Sequence, residues 1–141
     1  MRFMIIIKAD EDSEAGKLPP MEALTAMAKF NQEMLDAGIL VGGEGLQESS
    51  KGARVTLNAA GSTITDGPFT ETKELVGGFW ILDVPTREEA IEWAKRCPTA
   101  PHGDTVLEVR KILDAEDFGE AFTPELQENE QRMRDEIAGQ S

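Results

Sequence analysis

The ten residues LVGGFWILDV, positions 75–84, carry the strongest fold signal in the chain. From Phe79 to Leu82 every position is apolar, so a strand here is apolar on both of its faces. Gly77-Gly78 lies inside the run, and glycine within a strand marks a bulge or a close backbone approach. We expect a central strand that helices cover on one face and a different partner covers on the other.

The segments on either side alternate between strand and helix patterns. The isoleucine-rich run from Arg2 to Lys8 predicts a buried strand, and the acidic stretch 10–16 predicts an exposed loop. The first helix has a predicted apolar face of Leu24, Met27, Ala28, Met34 and Leu35, with Asn31 in its middle. This first helix is predicted from Pro19-Pro20 to Ala37. The remaining predicted elements are a strand from Ile39 to Leu46, a hairpin of 54–58 and 62–65, a helix between Thr86 and Pro98, and a strand from Thr105 to Ile112.

This order of elements predicts a ferredoxin-like α+β fold. A β-α-β unit, a hairpin and a second β-α-β unit form the split βαβ pattern, which is an antiparallel sheet with both helices on one face. The other face would expose a large apolar patch. A second copy of the chain is the simplest cover, so we expect a homodimer through the open face of the sheet, a dimeric α/β-barrel-like assembly.

The C-terminal segment 114–141 forms a compositional unit of its own. It carries 2 basic and 9 acidic residues, a balance of −7, whereas residues 1–113 carry −6. Helical turns are predicted over 114–119 and 124–138, the second capped by Thr123 with Pro124 at its first position. A stripe of apolar residues follows helical spacing there, and we expect it to pack on residues 1–113 or across the dimer: Phe118, Phe122, Leu126, Met133 and Ile137.

Composition excludes several classes of function. A net charge of −13 over 141 residues and a pI near 4.4 argue against direct nucleic-acid or anionic-membrane binding. One cysteine and one histidine cannot build the common zinc sites, and we expect neither a metal nor a cofactor. No apolar run is long enough to span a bilayer or serve as a signal sequence, so the expected compartment is the cytoplasm.

One motif connects the chain to a known family. DGPFTETKE at 66–74, followed by LVGGFW, resembles the signature of the DGPF proteins, a group within the YCII-related family. The resemblance spans roughly residues 1–113 and also includes the Gly42-Gly43 strand, Trp93-Ala94, Cys97-Pro98 and Glu108-Val109-Arg110. It implies a dimeric ferredoxin-like fold.

The resemblance also implies two different functional settings. DGPF domains resemble modules found near or fused to extracytoplasmic-function sigma factors, which implies a regulatory role. YCII-type relatives, some of them hydrolases or dehalogenases, use a His in the first helix and an Asp after the second. Met27 and Cys97 stand near those positions here, so this acid–base pair is absent and catalytic transfer from that branch does not follow.

The sequence offers a small set of candidate site residues. Asp66, Lys73 and His102 are the candidate catalytic groups, because carboxylate, ammonium and imidazole are suited to acid–base work. The candidate ligand-binding residues are Asn31, Glu44, Asp66, Lys73 and Trp80. Structural roles compete with each of these: Asp66 can cap a turn before Gly67-Pro68, and the space over the glycine pairs can be filled by a helix or by a partner subunit.

Three functions remain open at this point. The first is a small-molecule-binding or regulatory module, and the second is a cofactor-independent enzyme, a hydrolase, lyase or isomerase acting on a small polar substrate. The third is an interaction subunit that uses its acidic tail. A pocket that unites Asp66, Lys73 and His102 would favour the enzyme, whereas a packed core without a pocket would favour the interaction subunit.

Overall fold

The computed structural model describes residues 1–71, 74–100 and 103–140, and these contain six strands and four α-helices. The chain divides into two compact units, Met1–Lys111 and Ile112–Ser141. The elements are β1 (Arg2–Lys8), α1 (Glu11–Glu14), α2 (Met21–Asp36), β2 (Leu40–Gly45), β3 (Ala53–Asn58), β4 (Gly61–Asp66), β5 (Val76–Asp83), α3 (Arg87–Ala94), β6 (Leu107–Lys111) and α4 (Pro124–Gly139).

Four strands form one antiparallel sheet in the order β2-β5-β1-β6. The strand β5 lies between β2 and β1, so the prediction that residues 75–84 form a central strand is confirmed. With α2 between β1 and β2 and α3 between β5 and β6, this is the ferredoxin-like α+β arrangement that the element order predicts. The strands β3 and β4 form a separate two-stranded hairpin, inserted between β2 and β5.

The helices α2 and α3 pack on one face of the sheet. Phe3 and Ile5 from β1 and Trp80 and Leu82 from β5 form the sheet side of the core. The helices contribute Phe30, Met34, Ala90 and Ala94, and Cys97 follows α3. The predicted apolar face of α2 is therefore partly wrong.

The structural reason is the rotation of α2 about its axis. Phe30 packs edge-on against the Trp80 ring at 5.5 Å between centroids, and Met34, one turn further along the helix, is fully buried. Leu24 and Leu35 are thereby left 56% and 57% exposed. Two positions assigned to the core from their spacing are thus on the surface.

The opposite face of the sheet has an apolar centre and a charged border. Strand pairing places Met4 opposite Ile81 and Ile6 opposite Phe79, and all four side chains are half-buried. The border includes Glu44 beside Phe79, Arg110 beside Met4, and an ion pair of Lys8 with Glu108 at 3.9 Å. We call the four apolar residues Met4, Ile6, Phe79 and Ile81 the open face.

Local capping signals explain the short elements. The predicted loop 10–16 contains the helix α1, because Asp10 accepts a hydrogen bond from Ser13 N–H at 2.7 Å while the Ser13 hydroxyl accepts one from Asp10 N–H. In the second unit, Thr123 caps α4 by accepting from Leu126 N–H at 3.3 Å, and Pro124 is its first residue. The prediction of a helix over 124–138 is confirmed.

A tight helical segment, Ala115–Ala121, precedes α4, where a helical turn was predicted over 114–119. The rings of Phe118 and Phe122 lie 5.1 Å apart at its end. None of the helices within the described residues combines the length and apolar character that crossing a membrane requires.

Candidate functional site

Asn31 and Trp80, two of the candidate ligand-binding residues, bind each other. The indole Nε1–H of Trp80 donates to Oδ1 of Asn31 at 2.8 Å, across 49 residues of chain. This bond satisfies the single polar atom of a tryptophan that is 7% exposed. Both side chains therefore have a structural partner in this chain.

The space over the glycine-rich strand is occupied by the same tryptophan. A Cβ atom at Gly43 would lie 2.9 Å from Cδ1 of Trp80 and 2.9 Å from the carbonyl oxygen of Phe79. Gly43 therefore lets the Trp80 ring lie directly against β2. Glu44 is the next residue and pairs with Phe79, so its side chain lies on the open face rather than beside Asn31.

The DGPF loop is fixed by Ser49 instead of Asp66. Phe69 N–H donates to Ser49 Oγ at 3.0 Å, and a Cβ at Gly67 would lie 1.8 Å from the Ser49 carbonyl oxygen. Asp66 is exposed, and its carboxylate makes no hydrogen bond or ion pair within the described residues. The capped turn expected at Asp66 is therefore not formed there, because Ser49 supplies the side-chain oxygen that fixes the loop.

Glu14 continues this network at the end of α1. The Ser49 hydroxyl donates to Glu14 Oε2 at 2.5 Å, and Ser49 N–H donates to Glu14 Oε1 at 2.9 Å. One serine thus connects α1, the turn after β2 and the DGPF loop. Arg54 adds a second contact, with its guanidinium 3.8 Å from the centroid of the Phe69 ring.

Sequence reasoning missed both Glu14 and Ser49. Glu14 lies in a stretch that was predicted to be an exposed loop, and Ser49 lies 35 residues away from it. No local pattern links a serine, a distant glutamate and a loop amide, so only the fold brings them together.

Two candidate catalytic residues, Lys73 and His102, lie outside the described residues. Asp66 is thus the one candidate catalytic group that the structure places, at the last position of β4.

Cys97 does not offer a reactive thiolate. Burial raises the pKa of its thiol from the usual 9 to about 11, and its Sγ lies 3.5 Å from the Pro98 carbonyl oxygen. A thiol that stays protonated at neutral pH is a weak nucleophile. Cys97 is 8% exposed and belongs to the hydrophobic core.

The concave surfaces of the second unit do not include the candidate residues. One open groove of about 510 Å³ is lined by Glu125, Leu126, Glu128, Asn129 and Arg132. A second of about 480 Å³ lies between the Ala115–Ala121 segment and the start of α4. Across the part of the chain that the structure covers, there is also no cluster of His, Cys, Asp or Glu suited to a metal ion.

Comparison with known proteins gives a family, one related sequence and one solved structure of similar shape. A family model described as YCII-related domain matches residues 1–116. An uncharacterised protein of Rhizobium meliloti (strain 1021), R00369, is 28% identical over 114 residues, which are 79% of this chain and 92% of that protein.

A solved structure resembles the chain more distantly. It is the 5-chloro-2-hydroxyhydroquinone dehydrochlorinase (TftG) from Burkholderia phenoliruptrix AC1100, in complex with 2,5-dihydroxybenzoquinone. The match has a TM-score of 0.46 and 18% identity, and covers 80% of this chain and 94% of the other. A likeness at this level carries no information about the reaction of this chain.

Proposed function

This chain belongs to the YCII-related domain family, since that family's model covers residues 1–116, and from this premise we propose a dimeric small-molecule-binding or regulatory module of the DGPF subgroup. The open face is the observation that carries the proposal. It combines a half-buried apolar centre of Met4, Ile6, Phe79 and Ile81 with charged residues at its border. A second sheet packed on this face would enclose that apolar surface between two protomers.

Several polar side chains are hydrogen-bonded within the chain or stay protonated, and this supports ligand binding over catalysis. The Asn31–Trp80 pair and the Ser49–Glu14 pair are bonded internally, and the Cys97 thiol has a raised pKa. Glu44 is the candidate ligand-binding residue on the open face, next to the Phe79 ring. A ligand with an apolar body and a hydrogen-bond donor or a positive charge would match these two side chains.

The regulatory role and the DGPF subgroup rest on the sequence signature. Its first residues form a loop that Ser49 and Arg54, both outside the motif, hold through contacts with Phe69. A rigid loop at the end of the hairpin suits a surface that a sigma-factor system reads. The expectation of a regulatory module therefore remains our proposal for the role of the dimer.

Native mass spectrometry of protein purified without refolding tests the proposal. We expect a mass of twice 15.4 kDa, with a retained small molecule that is lost in Glu44→Gln and kept in the control Glu22→Gln on α2. The binding role is contradicted if the dimer retains no small molecule and if no compound of a metabolite panel changes its melting temperature. A 15.4 kDa monomer contradicts the assembly.

A cofactor-independent enzyme is the second candidate, and one observation favours it. The Asp66 carboxylate is exposed and has no partner among the described residues, so it is available to a small polar substrate as a base. The test is turnover of hydrolase, lyase and isomerase substrates by the native protein and by Asp66→Asn. Activity that Asp66→Asn abolishes while the melting temperature is retained would establish the enzyme.

A further inference from the structure

Gly42 leaves a gap on the same side of the sheet as the open face. It pairs with Ile81, and a Cβ atom at position 42 would have no heavy atom within 4 Å. Its φ is not positive, so the backbone there does not require glycine. The register shift between Leu40 and Gly42 does not require it either, since the type of bulge that needs glycine has a positive φ. Glycine inside a strand also marks a place that a ligand approaches closely.

Three side chains border this gap, which we call the Gly42 gap. Ile81 lies directly opposite Gly42, and Phe79 is its diagonal neighbour on β5. Glu44 pairs with Phe79 and lies two residues along β2 from Gly42, at a distance of about 7 Å. The Gly42 gap is therefore bordered by an aliphatic side chain, an aromatic ring and a carboxylate.

The Glu44 carboxylate has no positive partner. Within residues 1–71, 74–100 and 103–140 it makes no hydrogen bond or ion pair. Lys8 is paired with Glu108 at 3.9 Å, and Arg110 is on β6, three strands from β2 and thus about 14 Å away. Arg2 lies at the first position of β1, four residues from the position that pairs with Phe79. The cations on this side of the sheet are all distant from Glu44.

Charge therefore favours a positive ligand group at Glu44. A second sheet over the open face would remove water from its border, and a carboxylate without water needs a positive partner. The net charge of −13 gives the chain a field that attracts small cations. The Phe79 ring favours a flat apolar body on the same ligand, because aromatic faces attract both other rings and ammonium groups.

We propose that the Gly42 gap binds a primary organic ammonium with a flat apolar body. The ammonium group donates hydrogen bonds to the Glu44 carboxylate, and the body packs against Phe79 and Ile81. This inference rests on the proposed binding role and names its ligand class. Glu44 selects the charge of the ligand, and the missing side chain at position 42 leaves room for its body.

The test uses three probes that share one ring: phenethylammonium, 2-phenylethanol and 3-phenylpropanoate. Isothermal titration calorimetry measures their affinities for the full-length protein at neutral pH. We expect the ammonium to bind about tenfold or more tightly than the alcohol, and the carboxylate to bind more weakly than both. Glu44→Gln should remove the preference for the ammonium over the alcohol, whereas the control Glu22→Gln on α2 should keep it.

Position 42 is tested by size. Gly42→Ala and Gly42→Val fill the gap in two steps, and valine is a favourable strand residue. We expect both steps to weaken the ammonium and the alcohol by the same factor, reaching about tenfold in Gly42→Val. Urea midpoints of the two variants show that the fold is retained.

Two results overturn this ligand class and leave the proposed binding role standing. One is equal binding of the three probes, and the other is a preference for the ammonium that survives Glu44→Gln. If no probe binds while Glu44→Gln and Gly42→Val weaken the dimer, the gap is a contact between two copies and the ligand is excluded. If no probe binds and the native protein retains no molecule, this inference and the proposed binding role both fail.

Discussion

Gly43 and Trp80 form a close contact between β2 and the core. The indole ring lies against the β2 backbone, where a methyl group would be 2.9 Å from its Cδ1 atom. Gly42, one residue earlier in the same strand, has no heavy atom within 4 Å of an added Cβ. A side-chain methyl group therefore has space at position 42 but not at position 43.

We predict that Gly43→Ala lowers the free energy of unfolding by about 1–3 kcal/mol, because the new methyl group displaces Trp80 or the β5 backbone. Gly42→Ala is the matched control and should stay within about 0.5 kcal/mol of the wild type. Urea denaturation followed by tryptophan fluorescence measures both. Equal midpoints for the two variants would contradict the contact.

Cys97 makes stability depend on pH in the alkaline range. Its thiol has a pKa raised by burial to about 11 in the folded protein, against about 9 when unfolded. The folded state therefore holds a proton that the unfolded state releases, and stability falls as the pH rises from 9 to 11. The loss is at most about 2–3 kcal/mol by linkage.

Cys97→Ala removes this dependence and is the control. The chain contains no tyrosine, so no phenol titrates in the same interval. The urea midpoint of the wild type should be lower at pH 11 than at pH 9, and this decrease should be smaller in Cys97→Ala. Parallel decreases in both proteins would show that Cys97 is not the responsible group.

At the scale of elements, Ser49 connects three segments that are distant in sequence. Its hydroxyl accepts from Phe69 N–H and donates to Glu14, and its own N–H donates to the same carboxylate. Because Glu14 accepts two bonds from one residue, α1 is fixed against the turn that follows β2. The shape of the DGPF loop then depends on residues outside the DGPF motif.

We predict that Ser49→Ala lowers stability by about 1–3 kcal/mol, since it leaves the part-buried Glu14 carboxylate and the Phe69 amide each short of a partner. Ser50→Ala is the neighbouring control, at an exposed position. Hydrogen exchange of Phe69 and Thr70 should accelerate in the first variant alone. Unchanged exchange in Ser49→Ala would contradict the network.

The helices show which predictions local sequence supports. Thr123 and Pro124 define the start of α4 by contacts within one turn, so this start was predictable. The inward face of α2 depends on Phe30 meeting Trp80, which is 50 positions away, and spacing alone left Phe30 out. Likewise Asn31 and Trp80 were both identified as candidates, but their mutual bond depends on how α2 lies on the sheet.

The stripe on α4 remains a prediction at the same scale. Leu126, Met133 and Ile137 are 50%, 46% and 69% exposed in the single chain, and an isolated helix of this length is marginal in water. We expect Leu126→Gln/Met133→Gln to lower the melting temperature by about 3 °C or more. Glu128→Gln, on the other side of the helix, is the control, and equal melting temperatures would indicate a solvated extension.

At the scale of the whole molecule, the fold follows from the order of its elements, whereas the function depends on surfaces. The alternation of strands and helices, with a central strand apolar on both faces, was enough to predict the antiparallel sheet. The sequence could also predict that one face of the sheet stays free of α2 and α3. It could not predict which face of the sheet carries Glu44, because the irregular register of β2 near Leu40 sets that face.

We predict that Ile81→Glu prevents the proposed dimer from forming, because a carboxylate in the centre of the open face would be desolvated without a partner. Leu24→Glu, the same kind of change at an exposed position on α2, should leave the dimer intact. Sedimentation velocity at micromolar concentration separates the two results. A dimeric Ile81→Glu protein with an unchanged urea midpoint would exclude the open face as the interface.

The two outer strands of the sheet have a further consequence, which concerns fibre formation. Outer strands with free main-chain groups are templates on which proteins polymerise. Here β2, with the sequence LVGGEG, has three glycines and a glutamate, and β6, with the sequence LEVRK, has a charged residue at every second position and at its end. Glycine weakens strand addition, and charge opposes stacking of chains in register. We therefore expect the protein to resist amyloid conversion while its faces remain free to associate.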